Sequence, residues 1–316
     1  MPNSQSPRGR RSQAQKPRAQ KAEVQKSRSQ KAQAQKPRAQ KPRTRKAQSQ
    51  KPQTKKQIPI QENTAKGGRR PLEKEDHKYK RGVVAVAAGS DRFPGAATLA
   101  VGGARRGGAG YVKFVSKSAP LIQQVINQFP DVVPIRELLN QKIDSLVVGP
   151  GGVSLRKLPA IPLVVLDGAA MKLAVQVIPS KRTNQIIVLT PHEGELNLIG
   201  YVMPKNYKER ALVAQKVADE LNVVIVLKGS KTIIAAPNLK LIVDEIGGAE
   251  LATAGSGDVL AGLIGAFLAS WKPEDLSTAQ KVVAAAVKLH SKAGVHAAKK
   301  YSCIVATDLL ESLAHC

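Results

Sequence analysis

Cysteine is almost missing from this chain: Cys303 and Cys316 are its two, both near the end, with no CxxC spacing and no other metal-ligating cluster beside them. That excludes a disulfide framework and yields no zinc site, so a reducing cytoplasm is the simplest expected compartment. No apolar run reaches the length of a membrane span, and the first thirty residues lack the hydrophobic stretch of a secretory signal. Aromatic residues make up 3% of the chain and none precedes Tyr79, which argues against a base-stacking, sequence-reading module at the beginning. Acids are scarce there as well. Residues 1–80 hold 24 Lys and Arg against 5 Asp and Glu, so +19 of the net +27 falls on the first quarter. An organellar transit peptide shares that shortage of acids but needs an amphipathic apolar face, which is missing.

What fills the beginning is a five-residue repeat running from Gln15: QKPRA, QKAEV, QKSRS, QKAQA, QKPRA, QKPRT, RKAQS, QKPQT. Hardly anything but Ala is apolar, so ordering the chain would bury nothing to offset the lost entropy. Residues 1–71 are read as a disordered basic tail, with a boundary near Leu72, just after Gly67, Gly68 and Pro71. Two roles stand side by side. Spaced Lys and Arg bind nucleic acid or an anionic surface by counterion release, or the tail is a solvated extension with no specific partner.

Residues 72–316 change to a strand-and-helix grammar. The apolar run at 82–88 suits a strand buried on both faces, as in a parallel sheet. It ends at Gly89 and Ser90, and a loop holding Pro94, Gly95 and Ala96 leads to a helix from Thr98 to Arg106 and a strand at 111–115. Further apolar runs at 145–148, 163–166 and 186–189 empty into GPGG, DG and TPHEGE. The run at 223–227 leads through Lys228, Gly229, Ser230, Lys231 and Thr232 into another at 233–236, a hairpin or strand pair. A long Ala- and Val-rich helix follows at 276–300, with His290 and His296 as packing or surface residues, and Thr307 and Asp308 read as a helix start. Loops past the carboxyl ends of strands are where open α/β sheets bind ligands. The order G-x-x-x-x-G-K-S/T is absent, so this is no P-loop.

The chain is organised around TAGSGD at 253–258, which runs into an apolar helix. Small residues that turn tightly before a helix start make an anion site, since free N–H groups and the helix dipole both favour negative charge there. Asp258 is either a cap for that helix or a general base that takes a hydroxyl proton during phosphoryl transfer. Lys228 meets a phosphate or is a solvated lysine beside a turn. His192 is a hydrogen-bonded structural residue or a catalytic one, and Asp167 and Glu195 can each serve as helix caps.

KGSKT, TPHEGE and TAGSGD together, with PGAA after the first strand, resemble the ADP- or ATP-dependent NAD(P)H-hydrate dehydratases. The resemblance runs from His77 to Ala314 and takes in VGPG at 148–151, LDGA at 166–169 and ATDL at 306–309. It implies a ribokinase-like three-layer α/β/α fold with a mainly parallel sheet. It also implies a repair reaction: a nucleotide phosphorylates the hydroxyl of (6S)-NADHX or NADPHX, and phosphate leaves. ADP or ATP is the implied donor, Mg2+ the implied companion, and a homo-oligomer the implied assembly. On the family's pattern Ala96, Gly151 and His192 face the hydrated nucleotide. Lys228, Gly229, Ser230, Lys231, Thr232 and Gly257 face the adenine nucleotide, and Asp258 is catalytic and faces the substrate. The chain departs from the pattern at GGAELATA, residues 247–254, where many relatives carry an Asn-Pro-Gly-Met-like run. No epimerase domain precedes the dehydratase region, so epimerisation of the hydrate is expected to belong to another protein. The competing functions are a ribokinase-like small-molecule kinase and a nucleic-acid-binding protein acting through the tail.

Overall fold

Each apolar run becomes a strand covered on both faces. The protein's structure, a computed structural model, describes residues 68–176, 184–204 and 206–316, and the basic repeat lies outside the described residues. The strands are β1 Val83–Ala87, β2 Tyr111–Val115, β3 Val133–Ile135, β4 Ser145–Val148, β5 Leu163–Leu166, β6 Ile186–Leu189, β7 Val224–Leu227, β8 Thr232–Ala235 and β9 Ile242–Asp244. They form one sheet in the order β3-β2-β1-β4-β5-β6-β7-β8-β9. The first seven in that order are parallel, and β8 and β9 add an antiparallel margin. Register brings the carboxyl ends level, with Ala87 opposite Val148, Val148 opposite Leu166, and Leu166 opposite Leu189. The loops after β1, β4, β5 and β6 therefore emerge along one edge.

The helices are α1 Gly95–Arg106, α2 Ala119–Gln128, α3 Lys172–Gln176, α4 Tyr207–Leu221, α5 Ser256–Trp271, α6 Leu276–Lys300 and α7 Ala306–Ser312. Alternation along the strands divides the core into two layers. Val84, Val86, Val147, Val165 and Val188 pack against α1, α2, α5, α6 and α7. Ala85, Leu146, Val164, Ile187 and Ile225 pack against α3, α4 and the 3-10 turns Gly168–Met171 and Glu193–Ile199. This is the three-layer α/β/α arrangement with a mainly parallel sheet. Among the described residues no helix is long and apolar enough to cross a membrane.

Helix α5 is apolar on every side, and all residues from Val259 through Trp271 are buried, as a central helix must be. It meets α1 backbone to side: a methyl on Gly262 would strike the Ala100 carbonyl, and one on Gly103 would strike the Val259 carbonyl. Gly262→Ala is expected to destabilise the fold by about 1–3 kcal/mol through overpacking. A urea-unfolding midpoint equal to that of the wild type would contradict so close a contact.

Two local differences from the sequence reading stand out. Helix α1 begins at Gly95 rather than Thr98, because Pro94 already holds helical φ and ψ of −67° and −31° at the cap position. The PGAA stretch is thus mostly the first helical turn. Near the boundary expected at Leu72, the Arg69 side chain donates to the carbonyls of Arg106, Leu313 and Cys316, binding its segment to the ends of α1 and α7.

Candidate active site

Two hollows flank the first turn of α5 at the carboxyl edge of the sheet. The first, about 620 Å³, is walled by His192, Lys228, Gly229, Ser230, Thr232 and Gly257. The second, about 540 Å³, is walled by Ala96, Gly151, Asp167, Glu195 and Asp258 among others. The edge itself brings these loops together: Lys228 N donates to the Pro191 carbonyl at 2.8 Å, and His192 pairs with Lys228 as a parallel bridge. The resemblance groups His192 with Ala96 and Gly151, whereas in the structure it lines the first hollow beside Lys228. Lys231 lines neither, and its ammonium lies 2.7 Å from Glu245 Oε1.

The anion site forms as the local sequence dictates. Gly255, at the cap position, has φ +91°, and a side chain there would run into Leu99, so only glycine turns the chain into α5 without strain. Gly257 and Asp258 then stand in the first turn, where N–H groups have no acceptor within the helix. His290 holds the turn from below. Burial is the main force pushing its imidazole down to about 4, so it is neutral and donates through Nε2 to the Ser256 carbonyl at 3.0 Å. The sequence alone suggests a packing or surface role for His290; it is buried, yet it also reaches the wall of the first hollow.

Asp258 accepts no hydrogen bond among the described residues, and the Gly255 cap has no side-chain bond, so no capping bond supports the cap role. Its carboxyl is pushed up to about 6, first by burial and then by the neighbouring Asp167 and Glu195 charges, against the opposing pull of Lys228. A carboxylate of that basicity is suited to take a proton near neutral pH. Lys228 is held between these acids, with Nζ 3.1 Å from Asp167 Oδ1 and 3.8 Å from Glu195 Oε2. Burial alone would lower its ammonium, and Asp167, Glu195 and Asp258 more than reverse this, leaving it above its ordinary value.

The other polar residues divide into supports. Asp167 makes no cap bond to the turn that follows it; its Oδ1 instead accepts from Thr190 Oγ1 at 2.7 Å and from Lys228. His192 and Glu195 do form a capping box: His192 Nδ1 accepts from Gly194 N at 3.0 Å and Glu195 Oε2 accepts from His192 N at 2.9 Å. Gly151, at φ +73°, would place a side chain 2.8 Å from the Ala96 methyl, so the absence of a side chain lets these two residues form a close floor to the second hollow. Arg210 and Asp244 were not singled out from the sequence. Asp244 lines the first hollow and accepts from Ser291 Oγ at 2.6 Å.

Helix-start amides and the Asp258 carboxylate stand beside two hollows at the carboxyl edge of a mainly parallel sheet, in a protein of the three-layer α/β/α class. The sequence model of one group of such proteins, the NAD(P)H-hydrate dehydratases, matches residues 84–315. The chain belongs to the NAD(P)H-hydrate dehydratase family. It is 31% identical over 259 residues to the ADP-dependent (S)-NAD(P)H-hydrate dehydratase of Lactococcus lactis, spanning 76% of this chain and 91% of that one. It is 35% identical over 209 residues to the bifunctional NAD(P)H-hydrate repair enzyme Nnr of Mycobacterium leprae, spanning 63% of this chain but 43% of that enzyme. The chain thus spans less than half the length of that bifunctional relative. Among solved structures, the ADP/ATP-dependent NAD(P)H-hydrate dehydratase of Bacillus subtilis, co-crystallised with ATP and Mg2+, superposes with a TM-score of 0.65 at 27% identity. That match covers 78% of this chain and 92% of that one. A hydroxyethylthiazole kinase from Pyrococcus horikoshii shares the fold, with a TM-score of 0.53 at 16% identity over 81% of this chain and 93% of its own.

Proposed function

We propose that residues 72–316 form an ADP- or ATP-dependent dehydratase that returns (6S)-NADHX and NADPHX to NADH and NADPH. The observation that carries this reading is Asp258, a half-buried carboxylate pushed up to about 6, lining the second hollow beside free α5 amides and next to Gly257 on the wall of the first. The nucleotide takes the first hollow, against Lys228, Gly229, Ser230, Thr232 and Gly257, with His192 on the same wall. The hydrated nicotinamide takes the second, on the floor made by Ala96 and Gly151. Asp258 removes the proton from the hydrate's hydroxyl, whose oxygen bonds to the terminal phosphorus as the bond to the nucleotide's leaving oxygen breaks. The Gly257 and Asp258 amides and the Lys228 ammonium hold the charge on the moving phosphoryl group. Phosphate then departs from the ring carbon with a proton from the adjacent carbon, which restores the double bond. ADP yields AMP and phosphate; ATP yields ADP and phosphate.

Magnesium fits this site as a companion of the nucleotide. Among the described residues no group of three or more His, Cys, Asp or Glu could hold a metal unaided, and an ion carried largely by phosphate oxygens needs only one or two carboxylates. Asp167 and Glu195 are the side chains that would hold it, and when bound it supplies charge neutralisation on the phosphates. We further read the protein as a cytoplasmic homo-oligomer, with the basic residues 1–71 as an accessory segment for nucleic acid or an anionic surface.

Absorbance at the reduced-nicotinamide band tests the reading, with the protein, NADHX, magnesium and either ADP or ATP in parallel. Recovery with one nucleotide is expected and identifies the donor. Consumption of nucleotide with accumulation of a stable phosphorylated product would mark a kinase instead. Because Asp258 works as a carboxylate, kcat/KM is expected to rise with pH through about 6 and then level. An acid limb near the ordinary carboxylate value would contradict the assigned base.

A further inference from the structure

Arg210 is a buried charge that the reaction above leaves unused. It projects from α4, is 6% exposed, and lies behind the turn joining β7 to β8. Its Nη2 donates to the carbonyls of Lys228 at 3.3 Å and Lys231 at 3.0 Å. Its Nε is 2.7 Å from Glu193 Oε1, off the N–H direction, so charge rather than a hydrogen bond at Nε holds that end. Gly229 makes the room, because a Cβ there would fall on the guanidinium. Packing α4 to the sheet does not call for this charge: Ala214, Val217 and Ala218 on the same helix join the apolar layer. A buried guanidinium costs free energy unless it is paired and hydrogen-bonded.

Its partners indicate what it does. No described peptide bond is cis, so the Lys228 carbonyl and the Gly229 N–H point in opposite directions. Drawing that carbonyl onto Arg210 presents the Gly229 N–H on the other side of a turn whose Gly229, Ser230 and Thr232 line the first hollow. It also occupies two carbonyl oxygens that would repel a phosphate. Through Glu193 the same guanidinium reaches the turn capped by His192, on the same wall.

We infer that Arg210 is a positioning residue for the phosphoryl donor, fixing the turn at residues 228–231 and the turn begun by Glu193 as one wall of the first hollow. The inference rests on the proposed nucleotide role of that hollow. Its test uses the full chain and the variants Arg210→Gln, Arg210→Lys and Glu193→Gln. ADP and ATP binding is measured by calorimetry without the hydrate, followed by steady-state kinetics and melting temperatures. Arg210→Gln is expected to weaken nucleotide binding about tenfold or more, consistent with a lost charged hydrogen bond, while the KM for the hydrate stays within about twofold. Arg210→Lys keeps the charge and is expected to restore part of the loss, with Glu193→Gln about threefold weaker. Normal nucleotide binding in Arg210→Gln, with or without a lower melting temperature, overturns the inference and leaves the proposed function standing. A wild-type protein that binds neither nucleotide overturns both. Should Arg210→Gln fail to fold, unchanged nucleotide binding in the other two variants overturns the inference.

Discussion

Asp258→Asn is expected to lower turnover about a thousandfold, within the range for loss of a general base, while ADP or ATP binding changes by less than about threefold. The substitution keeps size and shape and leaves the first-turn amides of α5 in place, but it removes the only function that the reading gives the carboxylate. Asp258 lines the second hollow and accepts no hydrogen bond among the described residues, so its replacement leaves no capping bond broken. Removing a half-buried carboxylate that faces Asp167 and Glu195 also relieves repulsion, and the variant is expected to melt no lower than the wild type. Turnover within tenfold of wild type, or loss of nucleotide binding in step with turnover, would contradict the role of base.

Lys228→Met carries the second large effect. The ammonium is the counter-charge to Asp167, Glu195 and Asp258, and it lowers the Asp258 carboxyl while burial and the other two acids raise it. Without it, Asp258 moves further above about 6, so at neutral pH more of it is protonated and idle. We expect kcat/KM to fall about a hundredfold or more at pH 7, with the acid limb displaced to higher pH and part of the loss recovered in alkaline buffer. Breaking a partly buried pair also leaves uncompensated charge on Asp167, so a lower melting temperature accompanies the change. A pH profile of unchanged shape, merely scaled down, would mean that Lys228 contacts the nucleotide but does not govern Asp258.

Much of this arrangement is legible in the sequence because it depends on local patterns. Buried parallel strands are short unbroken apolar runs, and β1, β2, β4, β5, β6, β7 and β8 each lie at such a run. The glycine-to-helix transition at Gly255 announces α5, since small turn-forming residues there run straight into a long apolar segment. Other parts leave little trace. Helix α4 buries Arg210, Ala214, Val217 and Ala218, a thin stripe in an otherwise polar segment, and β3 and β9 are three residues each, below the length at which alternation is visible. The distribution of roles around the site is tertiary information. Whether Asp167 caps a turn or pairs with Lys228, and whether His290 packs or steadies Ser256, depends on residues far away in the chain. Arg210 looks like any exposed helical charge until the glycine at 229 is seen to stand over it.

The central claim is that the hydrate's hydroxyl oxygen leaves as part of phosphate, after the nucleotide phosphorylates that hydroxyl with Asp258 as the base. The most direct measurement supplies NADHX carrying heavy oxygen in its hydroxyl, runs the reaction to completion with magnesium and the active nucleotide, and locates the label by mass spectrometry. The account predicts one labelled oxygen in each inorganic phosphate released, and one phosphate for each NADH formed. Label recovered in water, with NADH formed all the same, would contradict it.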